Sequence, residues 1–509
     1  MQSMSRCEGV GIFEPGKHSK PEEWNKGFMK NVTLETASIS QLHQALIEKQ
    51  VTAAGLLDEA VGKHERLGSL LNAFVCLDAN AARQAKAADA AFAVGVDSGP
   101  LQGLPVGIKD IFGVNGLKTY GGSPMAWPEQ WNQEGPIVSR LRQQTAVFFG
   151  KNQTVEFASG SLGTNAHWGA PRNPWDAKNH RVSGGSSSGA GVGVLQGSTV
   201  LSLASDAGGS IRVPASLTGT VGLKTSIGRW TMQGALPLYP TQDTIGIITR
   251  SVEDALVGFV SIDAPGADWR AILKKAAAGS IKGRRIGVAR QFYRDCSPDI
   301  VACVNEALAQ LEAQGAELVD IDFPEFDETV AFNRGGSLTN PEASALIQDE
   351  FPAWIPTIDP NVWDRLRVCG DISSREYLQK RRWIANHSAI INRRLSELGL
   401  HAFASPTTCI TAPRLDEVGD VESYRNKNVL VHRNSYPANV WDLCSLTMPV
   451  ALDGAGLPIG LQLCAGRGQE LELLEVALEA EKVLGRCDQR LGRPAIVAEG
   501  GEVPIAEGV

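Results

Sequence analysis

A run of small residues, GGSSSGAG (Gly184 to Gly191), stands directly against apolar sequence, and it is either a joint between domains or a site. By composition alone the run reads as a flexible linker. A linker, however, leads into more polar chain, whereas this one continues as VGVLQGSTVLSLASDAGGSIRVPAS, through Val192, Val194, Leu195, Val200, Leu201 and Leu203. Those are core-type residues, so the flank must be buried. The glycines therefore read as backbone positions that need positive φ or the close approach of another group.

A second cluster closes the same stretch, Ser205-Asp206-Ala207-Gly208-Gly209-Ser210. A serine directly after two glycines can present its hydroxyl from a tight turn while successive N–H groups point into one concavity, the arrangement that an acyl-transfer oxyanion needs. Gly-Gly-Ser turns are also common in plain loops, so the cluster alone does not decide. A third segment, LQGLPVGIKDIFGVNG (Leu101 to Gly116), sets Lys109 inside an apolar, strand-like run where an ammonium is costly. Alternation along a strand turns Asp110 to the opposite face, away from Lys109. Moving a lysine from about 10.4 to about 7 takes roughly 4 to 5 kcal/mol of preference for the neutral amine, within reach of full burial. Taken alone, the segment reads more simply as a lysine snorkelling at a strand edge.

The rest of the chain sets the frame. Length alone suggests about three domains, and 43% hydrophobic with 20% charged residues is ordinary for a globular protein. A net charge of −8 speaks against a phosphate-tracking surface, and hence against nucleic acid as partner. Nine scattered cysteines, none spaced C-x-x-C, point to a reducing compartment and away from a disulfide framework or a cysteine-rich metal site. No signal-peptide core and no membrane-spanning apolar run stands out, so a soluble, cytoplasmic protein is expected, with an N-terminal extension over residues 1–30, a C-terminal tail over 491–509, and loosely held ends in the polar N-terminal stretch and from Ala498 on.

Ser40 and Thr52 read as N-caps of two opening helices. GRRIGVAR, PDIVACVNEALAQLEAQG and AELVDIDFP read as a β-α-β unit with parallel strands, and LPIGLQLCA as a strand before a helix that stops at Gly485. Residues 324–436 show no regular alternation, and Trp354, Trp363 and Trp383 among mixed charges suggest a cover over a cleft with an apolar or aromatic pocket.

Together these segments resemble the amidase signature family of serine hydrolases. The resemblance runs through LPVGIKD, GKNQTVEFASG with NAHWGAPRNP, SGGSSSGAGVGV, ASDAGGSIRVPASLTGTVGLK and GLPIGLQL, most of the chain up to about Gly485. It implies an α/β fold, a large, mixed, twisted sheet with helices on both faces, formed as a single domain over residues 31–490. It also implies hydrolysis of a carbon-nitrogen bond in a small amide-type substrate, with no metal or organic cofactor. On the matching positions, Ser210 is the nucleophile, Ser186 the bridging cis-peptide serine and Lys109 the base. The amides of Ala207, Gly208 and Gly209, with that of Ser210 beside them, hold the oxyanion. Ser187 supports the loop, and Asp206 and Arg212 are expected to brace it as an ion pair. His167 and Trp168 are candidates to line the cleft, with a structural histidine an equal alternative.

The chain departs from the family pattern at Ser205, where threonine is common, at Ser183 and at Lys224-Thr225-Ser226. Those changes touch loop stiffness more than reacting groups. Gly185-Ser186-Ser187-Ser188-Gly189 also fits the G-x-S-x-G nucleophile elbow, with Ser187 as nucleophile, but the elbow needs a buried strand before it and WDAKNHRVS is polar. GTVGLKT fails the spacing of a phosphate-binding loop. The same resemblance leaves open the amidase subunit of a tRNA-dependent amidotransferase or a non-catalytic binding subunit, and a homodimer is the base-rate expectation for the assembly.

Overall fold

The computed structural model describes residues 32–367 and 370–500. The N-terminal extension, residues 1–30, and residues 501–509 of the tail lie outside the described residues. One mixed sheet organises the rest. Its strands are Phe74–Leu77 (β1), Pro105–Lys109 (β2), Val147–Asn152 (β3), Leu201–Asp206 (β4), Val221–Lys224 (β5), Thr244–Thr249 (β6), Arg285–Ala289 (β7), Glu317–Ile321 (β8), Ala402–Pro406 (β9), Cys444–Leu452 (β10) and Pro458–Ala465 (β11). They stand in the order β1-β3-β2-β4-β6-β5-β10-β11-β9-β7-β8. β2 runs parallel to β3 and β4, and β7 parallel to β8 and β9, while the pairings between these groups are antiparallel.

Every residue of β2, β3, β4, β5, β6, β9 and β11 is buried, including those at alternate positions, so helices cover both faces of the sheet. That explains why these strands read as continuous apolar or small-residue runs and not as alternating ones. The β-α-β expectation corresponds to β7, the helix Pro298–Ala313 and β8, paired in parallel. The helix Glu470–Leu484 ends at Gly485, whose φ of +89° a glycine adopts without cost. Among the described residues no helix is long and apolar enough to cross a membrane.

Two expectations shift. The first helix, Ile39–Ile47, is capped by Ser38 and not by Ser40: Ser38 accepts from Gln41 N and donates its own N–H to Gln41 Oε1 at 2.9 Å, a reciprocal capping box. Ser40 instead gives its hydroxyl to Glu253. Thr52 caps Ala53–Leu71 as read.

The larger shift concerns residues 324–436, which are mostly helical: Glu325–Arg334, Thr339–Glu350, Pro360–Arg367, Ser374–Glu397 and Val421–His432, with β9 among them. These helices bury only a thin stripe. Ser374–Glu397 buries His387, Ile391 and Leu395 alone, so its 3.6-residue period is hidden among charges. The tryptophans of the segment serve packing. Trp383 stacks on Phe332, ring centroids 4.4 Å apart, Trp354 lies against Phe351, and Trp363 packs on the main core.

Candidate active site

β2 and β4 are parallel neighbours in register, Ile108 opposite Leu203, so their carboxyl ends open side by side. That is where open α/β sheets place ligands. β2 ends on Lys109 and β4 on Asp206, and the turn after β4 carries Ala207 to Ser210 into the helix Arg212–Thr218. The loop Gly184 to Gly189 lies across both strand ends. Its Gly185-Ser186 peptide is cis. The Ser186 carbonyl accepts from Val155 N at 3.1 Å and from Thr154 Oγ1 at 2.9 Å, and Ser187 N–H donates to the Ser210 carbonyl at 3.2 Å, tying the two serine loops together. Gly184 is required here. Its φ is +81°, and a Cβ would sit 2.8 Å from Pro214 Cα.

Lys109 is fully buried. Its Nζ lies 2.8 Å from Ser186 Oγ and 2.9 Å from Ser205 Oγ. Burial pushes its pKa down, and the negative charges of Asp243 and Asp206 pull it only partly back, to about 7. At neutral pH much of this amine carries a free lone pair, and it can take a proton from the hydroxyl it touches. Asp110 turns to the other face as alternation requires, pairing with Lys151 at 3.1 Å.

Asp206 and Arg212 form a wholly buried ion pair. Every guanidinium N–H is used: Nε and Nη2 on the two oxygens of Asp206, Nη1 on the Ser435 carbonyl and Gln462 Oε1, Nη2 also on Asn439 Oδ1. Burial pushes the Asp206 carboxyl up, but Arg212 and Lys224 and the hydrogen bonds outweigh it and hold the group well below the usual carboxylate range. The carboxylate also takes the N–H of Gly209 at 2.7 Å and of Ile211 at 3.1 Å. It thereby shapes the turn that presents Ser210.

Gly209 accordingly departs from expectation: its amide is committed to Asp206 and is not offered to an incoming oxygen. The amides of Ala207 and Gly208 donate to no acceptor among the described residues. Those two residues and Ser210 border a cavity of about 450 Å³. Ser210 is partly exposed to it, and no hydrogen bond joins Ser210 Oγ to Ser186 Oγ. Ser187 Oγ donates to the Ser205 carbonyl at 3.3 Å, within the loop scaffold.

His167 and Trp168 do not border this cavity. Glu156 draws His167 Nε2 to 3.1 Å, and Trp168 Nε1 is spent on the Ser123 carbonyl at 2.8 Å. The wall is formed instead by Ser159, Tyr239 and Tyr436 and by polar and basic residues of the helical segment 324–436. A larger groove of about 1040 Å³, near Arg381 and Asp442, touches none of Lys109, Ser186 or Ser210. Ser205 and Asp243 belong to the lysine's surroundings although only Ser205 had a sequence signal, its hydroxyl where the resembling family carries threonine. Asp243, Asn439 and Gln462 are isolated polar residues far along the chain with no pattern to mark them.

Comparison with known proteins agrees with this architecture. The family profile described as Amidase matches residues 56–474. The chain is 40% identical over 459 residues to a 2-amino-5-chloromuconic acid deaminase of Comamonas testosteroni, covering 90% of this chain and 98% of that protein. It is 31% identical over 491 residues to one subunit of the glutamyl-tRNA(Gln) amidotransferase of Rhizobium meliloti, covering 89% and 98%. Among solved structures, a crystal structure of an amidase aligns with a TM-score of 0.77 at 27% identity, covering 88% of this chain and all of that one. The peptide amidase from Stenotrophomonas maltophilia aligns at 0.75 and 22% identity over 90% and 98%, a likeness of fold.

Proposed function

The chain belongs to the amidase family, and on that premise we propose that it hydrolyses a carbon-nitrogen bond of a small amide-type substrate through an acyl-enzyme on Ser210. Ser210 Oγ attacks the carbonyl carbon and passes its proton to Ser186 Oγ, whose own proton moves to the neutral amine of Lys109. The amides of Ala207 and Gly208 stabilise the oxyanion, each worth about 3 kcal/mol in the transition state. Collapse breaks the carbon-nitrogen bond, and the same protons return through Ser186 to the leaving amine. Water then attacks the ester, passing a proton through Ser186 to Lys109, and Ser210 Oγ takes that proton back as the acyl-oxygen bond breaks and frees the acid. The residues supply every proton transfer, and the proposal includes no cofactor.

The observation that carries this reading is the 2.8 Å contact between the buried Lys109 amine and Ser186 Oγ, beside a serine that opens on the cavity. Ser210 and Ser186 are not yet hydrogen-bonded, and such contacts tighten when substrate fills a site. The test is to incubate the protein with a panel of amides, ureas and carbamates and trap the acyl group by mass spectrometry. The label is expected on Ser210, absent in Ser210→Ala and retained in Ser187→Ala. A label on Ser187 would transfer the nucleophile to the elbow reading.

The likeness to the amidotransferase component favours a second reading, that the chain works as one member of a tRNA-dependent amidotransferase complex. Co-purification with the other members and tRNA would support it. Turnover of free amides by the isolated chain counts against it.

A further inference from the structure

The cavity that Ser210 opens on is lined by three arginines, Arg334, Arg365 and Arg425, and by no aspartate, glutamate or lysine. The chain has 56 acidic against 48 basic residues, and many of its other arginines are paired with carboxylates, as in Arg142 with Glu134, Arg284 with Glu479 and Arg394 with Glu325, or spent on backbone carbonyls, as in Arg250 with those of Leu34 and Ala37. None of the three cavity arginines has a carboxylate within ion-pair distance among the described residues. Arg365 is held in place by neutral groups: Nη2 donates to the carbonyl and hydroxyl of Ser159, and the guanidinium lies 5.5 Å from the centre of the Tyr424 ring. Its Nε is buried with no acceptor among the described residues. Arg425 is exposed and makes no hydrogen bond or ion pair among them. Arg334, at the rim, also borders a neighbouring hollow whose Asp295 and Asp327 are already paired with Arg433 and Arg294.

Like charges gathered round one space repel unless an anion enters it, and a guanidinium offers the planar fork that matches a carboxylate. We propose that this cavity selects a substrate bearing a carboxylate separate from the bond that is cut, bound by Arg365 and Arg425 with Arg334 at the entrance. The inference rests on the reading of Ser210 as nucleophile only for the reaction, not for the binding. It also gives the helical segment a purpose. The three arginines come from Glu325–Arg334, Pro360–Arg367 and Val421–His432, whereas Lys109, Ser186 and Ser210 come from the sheet and its loops. Selection and chemistry occupy different parts of the chain.

The test compares three amides of similar length: hexanamide, neutral; adipamate, with the carboxylate on the acyl side; and N-hexanoylglycine, with it on the amine side. One of the two anionic amides is expected to exceed hexanamide in kcat/KM, which also tells which side of the bond faces the arginines. In Arg365→Gln and Arg425→Gln that preference should fall about 10- to 100-fold, through KM, as lost charge-assisted hydrogen bonds require. Calorimetric binding of adipate against hexanamide runs beside it. Tighter adipate binding that both variants weaken, without turnover of any amide, upholds the recognition and removes the hydrolase reading instead. Equal turnover of neutral and anionic amides, with adipate bound no more tightly than hexanamide, overturns the proposal. Arg425 is exposed and unpartnered among the described residues, so its variant remains informative if Arg365→Gln disturbs the Ser159 loop.

Discussion

Replacing Lys109 by methionine should abolish turnover and make the protein more stable at low pH. Methionine nearly matches the lysine stem in volume, so packing in the strand is kept. The lysine is held at about 7 in the folded protein against an ordinary 10.5, a difference worth roughly 5 kcal/mol. The unfolded chain keeps its proton up to about 10.5 and the folded chain only up to about 7, so between those values the unfolded state binds more protons and stability rises with pH. Below pH 7 the full penalty is present, and above 10.5 it is gone. Against that gain, methionine forfeits the hydrogen bonds to Ser186 and Ser205, about 1 kcal/mol each, with a further cost for two buried hydroxyls left short of a partner. The net expectation is a variant about 1 to 3 kcal/mol more stable than the parent at pH 6, with the advantage disappearing toward pH 10. Urea unfolding at pH 6, 7.5 and 9 reads it directly, as a shift of midpoint at constant slope. A variant less stable than the parent at pH 6 would mean that the ammonium suffers no net penalty in the core, and the argument for a neutral base near pH 7 would fail with it.

Two further outcomes follow from the same surroundings. The acid limb of kcat/KM should rise through about pH 7 as Lys109 loses its proton, and Asp243→Asn should move that limb to lower pH, because it removes a carboxylate that favours the ammonium; burial pushes Asp243 itself up to about 7, so the parent carries that charge in full only above the limb. Asn keeps an acceptor for the Tyr239 N–H that Asp243 now receives at 2.8 Å, so a limb that stays in place or moves up would exclude Asp243 from the electrostatics of the base. Arg212→Met should destabilise the fold by roughly 3 to 5 kcal/mol by stranding a buried carboxylate, as measured by urea unfolding. Asp206 is held below its ordinary range by Arg212 against the desolvation that pushes it up, so without Arg212 its folded-state pKa rises; the unfolded carboxylate is common to both proteins, and the loss therefore shrinks in acid solution, where the variant's stranded carboxyl is protonated in the fold. An equal loss at pH 3 and pH 7 would refute that origin.

What could be read from the sequence divides along a physical line. The Lys109 segment alone reads more simply as a snorkelling lysine and the Gly-Gly-Ser turn alone does not decide; it is the resemblance of several irregular segments in order that singles out Lys109, Ser186 and Ser210, and the structure brings Lys109 and Ser186 into contact. Asp206 and Arg212 were legible as a pair because they are near in sequence on either side of one turn. The direction of a single amide was not. Gly209 N–H turns to Asp206 only because Arg212, Asn439 and Gln462 hold that carboxylate in place, and two of those three lie beyond residue 430. His167 and Trp168 sit in a motif close to the site, yet Glu156 and the Ser123 carbonyl claim their side chains. The helical segment was hidden for a related reason. A helix that buries one residue per turn looks, along the chain, like solvated charge, and an arginine on it looks like any other. Arg365 differs in its place, bordering the Ser210 cavity with no carboxylate partner and a buried Nε left without an acceptor among the described residues, and that appears only after the helices have closed over the strand ends. Catalytic chemistry needs unusual backbone and so marks the sequence, whereas selection here uses ordinary residues in an unusual place. The substrate of such an enzyme is therefore better sought in the charge of its cavity than in the motifs that surround its nucleophile.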